Sequence, residues 1–210
     1  NSRVACCIKH FVANDTEFGR HTISSEVDEV TLRELYLAPF EAAVRPVEHG
    51  GAGVRAVMCS YNRINGVYAS EHVELLRGVL RDEYGFDGVV ISDWYGTHSA
   101  AQSLEAGHFQ IEPGPPRERG SALLSAVLAG ETSEARVDES VRRLLTLFDW
   151  LGLDDGQLKD SAVNSEVTDD SAATRAVIRR ASIAGIVLLR NEGGVLPLAA
   201  QSNIALLGPN

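Results

Sequence analysis

The chain has 210 residues, 44% of them hydrophobic and 23% charged, the balance of a soluble globular protein with room for one full domain or parts of two. Its formal net charge of -10 is spread along the chain, which argues against nucleic acid and anionic membrane as partners, because both demand clustered Lys and Arg. No apolar run approaches the roughly 20 residues needed to span a bilayer.

The chain starts Asn1-Ser2-Arg3, without Met or a visible signal peptide, and enters an apolar run at once. It reads as a piece of a longer protein, so its compartment, cytoplasmic or secreted, stays open. Val4 to Ile8 is expected as a buried strand that delivers Lys9, His10 and Phe11 at its C-terminal end. Cys6 and Cys7 lie in this run. With Cys59 they make an odd count without zinc spacing, so they are expected as small core hydrophobes rather than as disulfide partners. Residues 12 to 25 are polar and read as a loop. Leu32, Leu35, Tyr36 and Phe40 recur at helical spacing between Val27 and Val44, and Pro46 with Gly50-Gly51 ends that helix. Val54 to Cys59 is a second apolar strand, ending in Ser60-Tyr61-Asn62. Ser70 is placed to cap a helix running to Tyr84, with Val73, Leu76, Val79 and Leu80 on one face and Gly85 as its stop.

The third strand is Gly88 to Ile91, ending in Ser92-Asp93-Trp94. A helix from about Thr97 to Gly107 follows, then a weaker run from His108 to Glu112 before Pro113. Helices are expected over Ser121–Ala129 and Val137–Leu151. Residues 154 to 171 are acidic, Ser-rich and poor in apolar side chains, the composition of a linker. Ala172 to Gly185 reads as a helix, Asn191 to Gly194 as a turn, and "NIALLGPN" as a short strand.

Alternating strands and helices mean a parallel sheet with crossover helices. Near-continuous apolar strands mean that both faces are covered. A doubly wound sheet and a (β/α) barrel both satisfy this pattern. The Gly-rich phosphate turn of a Rossmann sheet is missing after every strand, whereas polar groups at three strand ends fit the mouth of a barrel. The chain therefore divides into a partial barrel over 1–153, a linker over 154–171 and the start of a second unit over 172–210.

Asp93 at a strand's C-terminal end can serve as nucleophile, base or metal ligand, or simply cap the next helix. Trp94 beside it offers a flat surface for a sugar, or fills a core. Lys9 and His10 can bind hydroxyls or a carboxylate, and Lys9 can alternatively form a Schiff base. Tyr61 and Asn62 can orient a carboxylate or serve the turn. Asp15, Glu17, Arg20 and His21 in the first loop are expected to be solvated or paired with one another, and Glu112 to be part of the turn before Pro113.

Five stretches in order, "KHFVAND", "LRELYLAPFEAAV", "VMCSYNRINGVYAS", "YGFDGVVISDWYG" and "VLLRNEGGVLPL", resemble glycoside hydrolase family 3 of the β-glucosidase type. The resemblance implies the C-terminal part of a (β/α)8 barrel followed by the start of an α/β sandwich domain. It implies Asp93 as catalytic nucleophile, Lys9 and His10 as ligands of the sugar hydroxyls, Tyr61 near the nucleophile and Trp94 lining the sugar pocket. It implies a β-glycoside substrate, no metal and no cofactor. The acid/base glutamate of this branch lies in the second domain, beyond Asn210, and the first barrel strands precede Asn1. Half a barrel leaves strand edges unpaired, so the isolated chain is expected to fold poorly and to be inactive.

The sequence departs from the family at Ala106–Pro113, where most members read Ala-Gly-x-Asp followed by Met-Pro and where Gln110 takes an acidic place. That departure keeps a non-catalytic sugar-binding relative as an alternative. A lyase or aldolase barrel built on Lys9 is the other. Val12-Ala13-Asn14 after Phe11 disfavours the family's N-acetylglucosaminidase branch.

Overall fold

The computed structural model describes residues 4–153, 168–205, 207 and 208, and the chain divides into two compact units, Asn1–Ala162 and Val163–Asn210. The first is an α/β unit. Its main sheet has three parallel strands, β1 (Cys7–Phe11), β3 (Ala56–Cys59) and β6 (Val89–Ile91), with β3 in the centre. Ala56 pairs with Cys7 on one side and Val89 on the other, and Val57 with Ile8 and Val90. The expected fourth strand contributes a single parallel bridge, Ile91 to Gln110.

β1 extends through Lys9 and His10 instead of stopping before them, because β3 pairs as far along as Phe11 with Cys59. Its burial alternates along the strand, and Cys6 and Cys7 are exposed, not core. Among the described residues β1 has a strand neighbour on one side only.

The segments leaving the C-terminal ends of β1 and β3 make a second small sheet that the hydrophobic pattern did not signal. It joins β2 (Ser24–Ser25), β4 (Arg63–Ile64) and β5 (Val67–Tyr68), with β2 parallel and β5 antiparallel to β4. Asn65 and Gly66 form the two-residue hairpin turn, at φ 49° and 90°, which the Asn-Gly pair adopts readily.

Helix α1 spans 29–44. Asp28 caps it, accepting from the Thr31 N–H at 3.0 Å and the Thr31 hydroxyl at 2.7 Å. Its middle, Leu32–Leu37, is wound as a π-helix. That overwide turn brings Leu32 and Leu37, five residues apart, onto one face and turns Leu35 outward, where it is 62% exposed. The expected apolar stripe therefore shifts from Leu35 to Leu37, continuing through Phe40 and Val44. The Phe40 ring meets Phe11 edge-on at 5.0 Å.

Helix α2 (Glu74–Glu83) buries Leu75, Leu76, Val79 and Leu80, while Val73 stays exposed. Ser70 does not cap it: its hydroxyl donates to the Gly96 carbonyl at 2.9 Å, and the Leu75 N–H turns to His72 Nδ1 at 3.4 Å. Gly85 at φ 72° ends the helix as expected. Arg81 on α2 is buried and donates to the carbonyls of Phe86, Gly88 and Gly107, each at 3.2 Å, so it ties the entry of β6 to the end of the next helix. Gly88 is required there, because a Cβ would lie 2.3 Å from the Arg55 carbonyl oxygen.

Helix α3 (Ala101–Glu105) starts later than expected, since Ser99 Oγ accepts from the Ser103 N–H at 3.1 Å. Helices α4 (Ser121–Leu128) and α5 (Glu134–Leu151) follow, and Arg77 of α2 pairs with Glu139 of α5 at 3.2 Å. In the second unit α6 (Ala172–Gly185) is capped by Ser171, and Asn191 closes the expected turn by bonding both backbone groups of Leu196. The strand expected from Asn203 is not formed among its described residues, because no neighbouring segment pairs with them. Most of the expected linker, 154–167, lies outside the described residues.

His108 follows α3 and is fully buried without a well-formed hydrogen bond to either ring nitrogen. Burial first, and the Arg119 guanidinium second, push its pKa from 6.5 down to about 3. The fold thus holds the neutral imidazole. Stability from this group is fully present above pH 6.5 and drains as pH falls toward 3, at about 1.4 kcal/mol per pH unit. Between pH 7 and 5 the full-length protein is expected to lose about 2 kcal/mol through this group. His108→Leu should abolish that part of the slope. Urea unfolding across this range checks it, and equal slopes in both proteins would count against it.

Candidate active site

Asp93 sits two residues beyond the end of β6. Ser92 fixes the exit: its N–H donates to the Gln110 carbonyl at 2.9 Å, and its buried hydroxyl accepts from the Glu112 N–H at 2.7 Å. The chain then turns sharply, with the Gly96 N–H on the Asp93 carbonyl at 3.0 Å and Tyr95 at φ 62°. Gly96 lets this turn close on Tyr61, since a Cβ there would lie 3.3 Å from the phenol ring.

Both oxygens of the Asp93 carboxylate have a partner. Oδ1 accepts from the Trp94 N–H at 2.8 Å, and Oδ2 faces His10 Nε2 at 3.2 Å. The side chain remains 15% exposed, enough for a ligand to reach it. Burial holds the His10 pKa below its usual 6.5, against an upward pull from Asp93, with Lys9 and Arg20 adding to the lowering. Near neutral pH His10 is therefore largely uncharged, with Nε2 turned toward the carboxylate. Tyr61 is 6% exposed, and burial first, then its contact with Asp93, raises the phenol pKa. It stays protonated and can donate.

Lys9 and His10 both line a cavity of about 450 Å³ together with Asn14, Asp15 and Tyr36. Trp94 is 58% exposed and meets Tyr95 edge-on, so it presents a face to solvent instead of filling the core. The structure thus brings Asp93, His10 and Tyr61 together, sets Lys9 in the adjoining cavity and leaves Trp94 on the rim.

Two residues assigned to a solvated loop belong here. The Arg20 guanidinium lies 4.8 Å from the centre of the Tyr61 ring, and the His21 ring packs on Tyr61 at 4.1 Å. Arg20 also pairs with Glu17 at 2.9 Å, as the loop reading expected. The available signal was their position in the loop that leaves the C-terminal end of β1, where barrel-type sites gather their side chains. Asn62, conversely, leaves the site. It is fully buried, and its amide faces the carbonyls of Val12, Ala13 and Arg63 and the hydroxyl of Ser25 at 3.0–3.2 Å. Among the described residues no group of three His, Cys, Asp or Glu side chains is placed to hold a metal ion.

This carboxylate, imidazole and phenol, delivered by the ends of adjacent parallel strands, fall inside a match to the model of the glycosyl hydrolase family 3 N-terminal domain over residues 1–147. The chain belongs to glycosyl hydrolase family 3. A β-glucosidase of Rhizobium radiobacter is 50% identical over 209 residues, 99% of this chain and 24% of that protein. A probable β-glucosidase I of Aspergillus flavus is 38% identical over 207 residues. The solved β-glucosidase of Kluyveromyces marxianus superposes with a TM-score of 0.76 at 36% identity, covering 95% of this chain and 24% of that one. DesR, a β-glucosidase of Streptomyces venezuelae solved with D-glucose, gives 0.70 at 36% identity, covering 93% of this chain and 25% of its own. The chain spans about a quarter of the length of these relatives.

Within the family frame, the aspartate of the Ala-Gly-x-Asp pattern, counted from Ala106, falls on Phe109 and not on Gln110. Phe109 is buried, its ring 4.9 Å from the Arg81 guanidinium. Gln110 is engaged with Glu112, Nε2 to Oε1 at 2.7 Å.

Proposed function

We propose that the protein carrying this chain is a retaining β-glycosidase of the β-glucosidase type, and that Asp93 is its nucleophile. On this reading residues 1–153 are the C-terminal part of a (β/α)8 barrel, 154–171 a linker, and 172–210 the start of an α/β sandwich domain. The observation that carries it is the Asp93 carboxylate, held at a parallel strand's C-terminal end with His10 on one oxygen and a backbone N–H on the other. The Trp94 N–H and the His10 ring hold the carboxylate in one orientation, which a nucleophile requires.

In the first step an Asp93 oxygen attacks the sugar's anomeric carbon. The C1–O bond to the leaving group breaks, and a carboxylic acid about 5–5.5 Å from Asp93 protonates the departing oxygen. That acid is a glutamate outside these 210 residues. Water then attacks C1, the ester opens, and the same glutamate takes the proton. Lys9 and His10 hold sugar hydroxyls, Tyr61 donates to the nucleophile's oxygen, and Trp94 gives the ring an apolar face. Lys9 is exposed in β1, whereas a Schiff-base lysine works inside an apolar pocket, so the aldolase reading has no support of its own.

The test is trapping. A 2-deoxy-2-fluoro β-glucoside with a good leaving group should inactivate the full-length protein and add one fluoroglucosyl mass to the peptide containing Asp93. A label on another carboxylate would reassign the nucleophile, and inactivation without any label would remove the covalent mechanism.

A further inference from the structure

The turn that begins at Asp93 carries strain that something must hold in place. Its third residue, Tyr95, sits at φ 62°, a region bulky side chains seldom enter. Backbone strain of this kind persists only where the surroundings enforce it. One restraint is Glu112, whose carbonyl accepts from the Tyr95 N–H at 2.9 Å. Residues 68–70 supply two more. Ser70 is 1% exposed, and its hydroxyl donates to the Gly96 carbonyl at 2.9 Å. Gly96 is the residue whose N–H closes the turn on the Asp93 carbonyl at 3.0 Å. Two residues on, the His98 ring stacks on Tyr68, with centroids 3.6 Å apart and planes 19° from parallel. Tyr68 is fixed in turn by Arg63, which donates to its hydroxyl at 2.9 Å and lies 4.3 Å from its ring centre. The Ala69 N–H, on the Asn62 carbonyl at 3.1 Å, ties the same segment back to the residue after Tyr61. The phenol that meets Asp93 and the groups that grip its turn therefore belong to one stretch of chain, 61–70.

We infer that residues 68–70 are a clamp on the nucleophile's turn, and that Ser70 is a positioning residue that sets where the Asp93 carboxylate stands relative to Tyr61. The inference rests on the reading of Asp93 as nucleophile and adds to it. Ser70 is buried and acts through the turn, not on the sugar. Without its hydroxyl the Gly96 carbonyl loses this donor, and the strained backbone at Tyr95 can relax toward ordinary φ. Asp93, at the other end of the same turn, moves with it. Attack on C1 needs the reacting atoms about 3–3.5 Å apart and aligned, and a misplacement of about 1 Å costs on the order of 100-fold. A turn that is loosened but still held at Glu112 should cost less, roughly tenfold.

The experiment separates the nucleophile from the pocket around it. The full-length protein, Ser70→Ala, Asp93→Ala and the double variant are assayed with a dinitrophenyl β-glucoside, without and with azide. In Asp93→Ala the attacking group is azide, which is not attached to the turn. Its nitrogen bonds to C1 as the bond from C1 to the phenolate oxygen breaks, and the product is the glycosyl azide. Ser70→Ala should lower kcat/KM roughly tenfold where Asp93 attacks, and change azide-supported turnover by less than about twofold. Tyr68→Leu releases the other grip from a half-buried position, so it should show the same split, and it decides the matter if Ser70→Ala does not fold. Equal losses with Asp93 and with azide, or no loss from either variant where Asp93 is present, overturn the clamp. Undiminished hydrolysis by Asp93→Ala, or no azide product from it, overturns the nucleophile reading instead, and the clamp with it.

Discussion

Asp93→Asn in the full-length protein is expected to lower kcat/KM for 4-nitrophenyl β-glucoside by at least about 1,000-fold, equivalent to about 4 kcal/mol of transition-state stabilisation. The substitution keeps the shape of the side chain and an oxygen that can accept from the Trp94 N–H, as Asp93 Oδ1 does at 2.8 Å. What disappears is the charge that forms the bond to C1. Because the side chain is packed against His10 and Tyr61 and not in the hydrophobic core, circular dichroism and the unfolding midpoint should change little. A second variant separates nucleophile from scaffold. Asp93→Ala opens space for azide, which can attack C1 from the vacated side and leave as a glycosyl azide of inverted configuration. Restored turnover with that product identifies the missing group as the nucleophile. Undiminished hydrolysis by Asp93→Asn would remove Asp93 from the mechanism.

Asn62→Asp is expected to destabilise the protein by about 3 kcal/mol or more at neutral pH. Asn62 is fully buried, and its amide N–H groups face the Val12 and Ala13 carbonyls at 3.2 Å and the Arg63 carbonyl at 3.0 Å. A carboxylate there points lone pairs at lone pairs and carries an unpaired charge. Burial and repulsion would raise its folded pKa above the unfolded value, so the penalty is largest at high pH and shrinks as the group takes a proton. The urea midpoint should drop with an unchanged slope. Val12 and Ala13 directly follow the strand that carries Lys9 and His10, so KM for glucosides should rise as well. Stability equal to the parent protein would mean that the amide is not what anchors this loop.

The local grammar of the chain carried much of this. Three short apolar runs separated by helical periods required parallel strands with crossovers, and β1, β3 and β6 are those strands. Ser-Asp-Trp after the third run put a carboxylate where such sheets open to ligands, and Lys-His-Phe and Ser-Tyr-Asn put donors at the two neighbouring ends. Side-chain identity at a strand end is a local property, so it could be read directly.

What escaped depended on partners distant in sequence. Leu35 and Leu37 are both plausible core residues, and only the π-helical turn of α1 chose between them. Ser70 has the chemistry of a cap, but the Gly96 carbonyl, 26 residues on, claims its hydroxyl. Of the two roles open to Asn62 the structure takes the turn, and Arg20, paired with Glu17 as expected, also covers Tyr61. The buried loop carbonyls needed an amide donor more than the site did, and the loop after β1 folds back so that Arg20 and His21 cover Tyr61. Cys6 and Cys7 look like core residues, and they are exposed because their strand is paired along one edge among the described residues. The sequence by itself determined the α/β alternation and the group at each strand end, since both follow from spacing and chemistry within a few residues. The tertiary structure alone decided which polar groups meet, because a hydrogen bond across 26 or 50 residues is set by how the elements pack, and no local pattern encodes that.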